Sequence, residues 1–381
     1  MRPPFALSAT AATTALALTL AACSGSADEG QETASSSSSP SSSPSSSQSS
    51  TSSSTTAERT VEIADAPASL TTAVATKYGS RSVKGTATTG SWRGAKVAVV
   101  TAEDDVTLAV RPKGRQGWKV VGGWWPSLGA KGTADLGGRR HVLVIGSDAR
   151  PGEQVERSRA DAIQLLGVDG SGGAGLMGFA RDLWVPIPGQ GHGKLNSSMV
   201  FAGAKGQTES VSSISGIDVD GYIVTGFEGF GAIVDELGGL NFIAPKAMRS
   251  HLTGGTIKKG YNHLDGTEAL AWSRERKTLP GGDFDRSRNQ GLLLAAAAIQ
   301  ARLRGPEALP EALSVIDEEA SSNLSAEDML LFTAAFYRVT PTQIGHEVAK
   351  GPTGMQSGQS IVRLDSDSRA AFRDFRDGRL S

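Results

Sequence analysis

The spacing of apolar positions divides this chain into segments of different kinds. From Phe5 to Leu20 the run "FALSATAATTALALTL" is uncharged, follows a single basic residue, Arg2, and is too short to span a bilayer. It predicts a secretory signal peptide over residues 1–22. Apolar positions then almost disappear, and residues 23–58 are Ser, Thr, Pro and acidic residues, a composition that cannot bury enough surface to offset the entropy of ordering. A disordered linker is expected there. Apolar residues return near Thr60 in short runs. An amphipathic piece, "LTTAVATKYG", precedes "AKVAVV", "DVTLAV" and "GWKVVGGWW", which are separated by turn-forming "TAED" and "RPKGRQG". Such runs predict an antiparallel meander, and residues 59–135 are read as a small β-rich accessory region. Trp92, Trp118, Trp124 and Trp125 fall here, either as an aromatic wall for sugar stacking or as core.

After Gly137 the runs lengthen and begin to alternate with helical patterns. "HVLVIGSDAR" (141–150), "AIQLLGV" (162–168), "GLMGFA" (175–180) and "YIVTGF" (222–227) read as buried strands, each ending in turn chemistry. "EGFGAIVDEL" and "DFDRSRNQGLLLAAAAIQARL" carry helical spacing. The alternation predicts a layered α/β domain over 136–305 with polar site residues at strand ends and in loops. Residues 306–381 are read as a helical part completing it, and Ser325 with Asp328 fits a capping box. No internal repeat is evident.

Composition narrows the partners. The formal net charge is -1, so a nucleic-acid partner is not expected. The one cysteine, Cys23, closes "LAAC" directly after the signal core, which resembles a bacterial lipobox. Cys23 is therefore expected to carry lipid as the first residue of an exported lipoprotein on the outer face of the cytoplasmic membrane. The exported body then has no disulfides and depends on packing and hydrogen bonds.

Common catalytic signatures are missing. There is no G-x-S-x-G, the five histidines lack zinc spacing, and Gly193–Lys194 is followed by Leu195 rather than Ser or Thr. What recurs is arginine beside aspartate at predicted strand ends: Asp148 with Arg150, Arg159 with Asp161, Arg181 with Asp182. "AWSRERKTLPGGDFDRSRNQ" (271–290) then adds Arg274, Arg276, Asp283 and Arg286. Planar guanidinium groups bind phosphate bidentately and stay charged, so the pattern suits a phosphate-rich ligand. Taken alone, "AWSRERKTLPGGDFDRSRNQ" is equally consistent with a solvated helix face carrying surface ion pairs.

"VLVIGSDAR", "RADAIQLLGV", "FARDLWVPIPGQGHGKLNSS", "GYIVTGFEGFGAIVDELGGL", "KKGYNHLDGTEALAWSRER" and "DFDRSRNQ" occur in that order, and their arrangement resembles the LytR-CpsA-Psr family over about Arg139 to Leu303. The resemblance implies an α-β-α domain with a central mixed sheet. It implies a phosphotransferase that moves a glycan from a polyprenyl pyrophosphate carrier onto peptidoglycan. It further implies Asp148 and Asp161 as ligands of magnesium, or of manganese in its place, and Arg159, Arg181, Arg274, Arg276 and Arg286 as phosphate-binding arginines. Asp283 and Gln290 complete the polar wall. Departures are the lipobox in place of the family's usual membrane span, Ala180 and Ala162 for its usual Pro and Thr, and Asn289 where an arginine is usual, with Arg288 one place early. "LLLAAAAI" (292–299) is a candidate wall for the isoprenoid tail, or simply a helix packed on the sheet. Two other functions stay open: a polyprenyl pyrophosphate pyrophosphatase, and a binding protein without turnover.

Overall fold

The computed structural model describes residues 60–129, 134–251 and 255–380. The segments read as signal peptide and linker, with Cys23, lie outside the described residues. The accessory region consists of β1 (Val61–Ala64), α1 (Ala68–Tyr78), β2 (Val83–Trp92), β3 (Ala95–Ala102), β4 (Asp105–Arg111) and β5 (Lys119–Trp124), in sheet order β1-β2-β3-β4-β5. Strands β2 to β5 form the antiparallel meander, but β1 runs parallel to β2 because α1 carries the chain back across the sheet between them. β2, "VKGTATTGSW", was not legible as a strand: its threonines and glycines give no apolar alternation. Successive residues of the sheet enter two different cores. Ala98, Val100 and Ala109 pack under α1, while Val97, Val99 and Leu108 face the rest of the molecule.

These packing contacts decide the tryptophan alternative. Trp92, Trp124 and Trp125 are buried, and Trp118 is half-buried beneath α1. The indole N–H of Trp92 donates to the Leu324 carbonyl (3.0 Å) and that of Trp125 to Thr107 Oγ1 (2.8 Å). They are core residues and not a free aromatic wall, although the buried Trp118 indole N–H has no acceptor among the described residues.

The second part contains β6 (Arg140–Ser147), β7 (Ala160–Val168), β8 (Ala174–Phe179), the hairpin β9 (Trp184–Ile187) and β10 (Gly191–Lys194), α2 (Ser198–Ser215), β11 (Gly221–Thr225) and α3 (Phe227–Glu236). It continues with β12 (Leu240–Ala244), β13 (Met248–Arg249), β14 (Thr256–Ile257), β15 (Gly260–Leu264), α4 (Gly266–Arg274), α5 (Asp283–Arg304), α6 (Leu309–Glu319), β16 (Ser321–Ser322) and α7 (Ala326–Arg338). The last elements are β17 (Ile344–Ala349), β18 (Thr353–Gln356), β19 (Gln359–Val362) and α8 (Ser366–Asp374). The central sheet has the order β16-β11-β6-β7-β8-β17. The β11–β6 and β8–β17 pairs are parallel and the others antiparallel, so the sheet is mixed. Its strands read as unbroken apolar runs because both faces are covered. Val142 packs towards α7 and the accessory sheet, Leu143 towards α2 and α8, and Val144 and Ile145 repeat the alternation.

Residues 306–381 are helical only in part. β17 adds an edge strand to the central sheet and β18–β19 forms a hairpin. The sequence "IGHEVA" is too polar to announce a covered strand. Ser325 caps α7 by accepting from the Asp328 N–H (3.1 Å), and the Asp328 carboxylate accepts from the Ser325 hydroxyl (2.6 Å) and pairs with Arg140 (3.2 Å) rather than reaching the Ser325 N–H of a reciprocal box. No helix among the described residues is long and apolar enough to cross a membrane.

Candidate functional site

The site begins where β6 and β7 end. A register shift between Gly146 and Ser147 breaks their ladder, and the two chains beyond it are tied by Asp148 and Arg159. The Asp148 N–H donates to the Arg159 carbonyl and the Arg159 N–H donates to Asp148 Oδ1, both at 2.9 Å. Asp148 Oδ2 is engaged by no described residue. The Arg159 side chain points to solvent.

One position further in, the β7–β8 register sets Gln164 opposite Gly178. Continued along the ladder, it brings Asp161 opposite Arg181, and Arg181 Nη1 donates to both Asp161 oxygens, at 2.7 and 2.8 Å. α5 supplies the second pair. Asp283 and Arg286 meet at i,i+3 (3.0 Å), and Arg286 also donates from Nη2 to the Asp161 carbonyl (3.0 Å). α5 approaches the sheet this closely because Gly178 has no side chain; a Cβ there would stand 2.5 Å from Ser287 Oγ. The Asp161, Arg181, Asp283 and Arg286 side chains are 23, 17, 22 and 7% exposed, so the charges interleave with little water. Burial lowers the Arg286 pKa from its ordinary value, opposed by Asp283. Burial acts the same way on Arg181, but Asp161 and Asp283 outweigh it and raise its pKa. Both remain cations; the Arg286 Nε is buried without a hydrogen-bond acceptor among the described residues, and the Arg181 Nε has only a long ion pair with Asp283 Oδ1 (3.4 Å).

The opening "RER" of the basic stretch straddles a helix end. Asp265 and Glu268 form a full capping box that starts α4, and α4 stops at Arg274. Glu275 follows with φ −66° and ψ 130°, extended backbone, so Arg274 and Arg276 project to one side and Glu275 to the other. The Arg274 guanidinium lies 4.1 Å from the Phe227 ring centroid. Glu275 is fully buried and accepts from His251 Nδ1 (2.6 Å), the His251 N–H (3.3 Å) and the Thr278 N–H (3.2 Å). Burial pushes the Glu275 carboxyl up, but these hydrogen bonds prevail and hold it at about 2.

Asp161, Arg181, Arg274, Arg276, Arg286 and Gln290 all line one cavity of about 630 Å³. Behind this mouth it is apolar. Val144, Leu166 and Ile223 of the sheet form one wall, and Leu294, Ala298 and Phe332 of the helices form the facing one. Of the "LLLAAAAI" segment, Leu293, Leu294, Ala297 and Ala298 face the cavity, whereas Leu292 and Ala296 pack with α4 and β12. Asp148, Arg159 and Asp283 are not on the cavity wall itself: the first two close the strand ends beside it and Asp283 stands behind Arg181 and Arg286. Gln290 is tied to α4, donating to the Ser273 carbonyl (3.0 Å). Arg288 does not replace the arginine missing at position 289. One residue is a 100° step on a helix, so Arg288 faces solvent while Asn289 is buried.

Sequence reasoning passed over His251, Lys277, Ser147 and Phe227, which also line the cavity. Lys277 lay in the quoted basic stretch, but nothing near His251 marks it; its partner Glu275 is 24 residues away.

For a divalent cation, no group of three or more His, Cys, Asp or Glu converges among the described residues. Magnesium commonly takes one or two carboxylates and completes its shell with phosphate oxygens and water. The free Oδ2 of Asp148 and the neighbouring Asp161 fit that demand, although Arg181 already holds both Asp161 oxygens.

Comparisons with known proteins bear on the fold and the family. The LytR_cpsA_psr family profile matches residues 130–374, which include every wall residue named above. Over 235 residues the chain is 29% identical to the polyisoprenyl-teichoic acid–peptidoglycan teichoic acid transferase TagU of Enterococcus faecalis, covering 59% of this chain and 74% of that protein. The crystal structure of TagV of B. subtilis superposes with a TM-score of 0.54 at 22% identity, covering 63% of this chain and 98% of that one. TagT bound to LIIa-WTA superposes equally well, with a TM-score of 0.54 at 22% identity over 64% of this chain and 92% of that one. A cationic mouth on an apolar cavity, a mixed sheet between helical layers and a profile match over most of the folded residues lead to one conclusion: this chain belongs to the LytR-CpsA-Psr family.

Proposed function

We propose that the protein transfers a glycopolymer from a polyprenyl pyrophosphate carrier onto peptidoglycan, leaving a phosphodiester link. One observation carries the reading: Arg181 and Arg286, both little exposed, stand at the mouth of a long apolar cavity, and the Arg286 Nε has no hydrogen-bond partner among the described residues. An amphiphile with a strongly anionic head and a hydrocarbon tail matches both halves of that surface. The names of relatives such as TagU support a teichoic-acid-like wall polymer as the cargo.

In this reading the isoprenoid tail occupies the space between the sheet and α5, α6 and α7. Arg181, Arg274, Arg276 and Arg286 bind the pyrophosphate, with five cations, counting Lys277, set against the two carboxylates Asp161 and Asp283. Phosphoryl transfer needs position and charge stabilisation more than a protein nucleophile, which these donors supply. Asp148 and Asp161 are the residues that would hold magnesium or manganese, which when bound neutralises charge developing on the phosphate oxygens. Arg159 acts through its backbone by holding Asp148. Upstream, acylated Cys23 anchors the exported domain to the outer face of the cytoplasmic membrane.

The test is purified protein with polyprenyl pyrophosphate-linked glycan and peptidoglycan. Glycan covalently attached to peptidoglycan is the expected product, and it should fall sharply in excess chelator and in Asp148→Ala and Asp161→Ala. Release of free glycan phosphate alone would replace the transferase with a pyrophosphatase, and tight binding with no product would leave a carrier protein. Cys23→Ala should move the folded protein from the membrane to the soluble fraction; full retention on membranes would refute lipid anchoring.

A further inference from the structure

The transfer proposed above requires that the attacking hydroxyl lose a proton, and most groups at the mouth are unable to take it. Arginines stay protonated and lysine is a cation at neutral pH. Asp161 accepts from Arg181 with both oxygens, and Asp283 is ion-paired with Arg181 and Arg286 behind the cavity wall, which keeps it from the mouth. His251 is the one histidine on the cavity wall. Of the others, His141 is buried under Phe375, and His346 lies behind α5, where burial pushes it down to about 4.

Its hydrogen bonding settles which ring nitrogen is available. Glu275, held at about 2, is a carboxylate at neutral pH and can only accept. The neutral ring must therefore carry its proton on Nδ1, where it donates to Glu275 at 2.6 Å, leaving on Nε2 a lone pair that no described residue engages. A second bond, from the His251 N–H to the same carboxylate oxygen, fixes the backbone that presents the ring. Side-chain exposure rises from 7% at Arg286 and 17% at Arg181 to 28% at His251, so the imidazole stands on the solvent side, where a polymeric acceptor must arrive.

We infer that His251, oriented by Glu275, is the general base that activates the acceptor hydroxyl. The hydroxyl oxygen forms a bond to the glycan-bearing phosphorus while its proton passes to Nε2. The bond from that phosphorus to the bridging oxygen breaks, and polyprenyl phosphate leaves with the electron pair. Glu275 stabilises the imidazolium and is a positioning residue. This assignment rests on the transferase reading.

The experiment compares wild type, His251→Ala, His251→Gln and Glu275→Gln, with donor affinity measured on the lipid-linked glycan separately from turnover, and circular dichroism as the folding control. General-base catalysis contributes about 10²- to 10⁴-fold. His251→Ala and His251→Gln should lose turnover within that range with donor affinity unchanged. Added imidazole should restore part of the His251→Ala rate and none of the Glu275→Gln rate, because Glu275→Gln retains its ring. Turnover of a folded His251→Ala within threefold of wild type overturns the assignment, as does a loss that follows donor affinity and resists imidazole. A wild-type protein that binds donor yet transfers nothing overturns the transferase reading itself, and this one with it.

Discussion

Arg286 has the least comfortable surroundings of the site residues: it is nearly water-free, faces a second guanidinium and has an unpartnered Nε. Such a side chain is tolerated because Asp161 and Asp283 offset it, and a pyrophosphate would offset it further. Removing it should have two separable effects. Arg286→Ala takes from Asp283 its nearer guanidinium partner and from the Asp161 carbonyl its donor, costing about 1–3 kcal/mol of stability, and removes a phosphate donor, costing roughly 10²- to 10³-fold in transfer. Arg286→Lys should recover much of the stability but little of the rate, since an ammonium lacks the planar fork. Urea denaturation and transfer assays on both variants check this; equal recovery of both quantities by lysine would mean that charge alone matters. At this scale the arginines and aspartates were legible because their types announce their chemistry. Arg159 shows the limit: its type marks it as a phosphate ligand, yet its guanidinium faces solvent and its backbone holds Asp148.

Elements meet here through glycines at close crossings. β2 lies against α6 so tightly that a Cβ on Gly90 would stand 2.0 Å from the Pro310 carbonyl oxygen, which is backbone and cannot step aside. Ser91 N–H donates to Ser314 Oγ (2.9 Å) and Arg93 N–H to the Asp317 carboxylate (2.8 Å), so the same edge is also bonded to α6. Gly90→Ala should therefore cost about 1–3 kcal/mol by forcing the two elements apart. Chemical denaturation measures it, and a variant as stable as wild type would show that the crossing has slack. Gly90 also explains why β2 escaped notice: a residue chosen for what touches it breaks the alternation that identifies a strand. β17 escaped for a related reason. It is an edge strand with His346 against α5, and its neighbours, not its pattern, place it. By contrast β6, β7, β8 and β11 were legible because covered strands must be apolar throughout, and α5 because 22 residues sustain one helical pattern.

At the scale of the molecule, the accessory sheet and the central sheet share one core: Trp92, Val97 and Leu108 belong to the same apolar cluster as Val142, Leu166 and Phe332. The division at residue 135 visible in the sequence is thus a change of pattern and not a gap in packing. The cavity lies on this shared side and could not be read from the chain, since its wall is assembled from strands and helices far apart in sequence. α5 gives it a property beyond shape. One rigid helix carries Arg286 at the anionic end and Ala301 at the far end of the apolar wall, and between them its axis rises about 22 Å. α5 is therefore a gauge for the carrier: isoprenoid length up to that span gains burial with each unit, and length beyond it hangs free. Donor affinity should climb with tail length and then level off at a tail of about 22 Å. Ala298→Phe should move that break to shorter tails without weakening the shortest donors. Affinity that keeps rising far past the break, or a break that ignores Ala298→Phe, would show that the tail lies elsewhere. A carrier gripped over a fixed length leaves the rest of its hydrocarbon in the lipid phase, so such an enzyme need never extract its substrate whole.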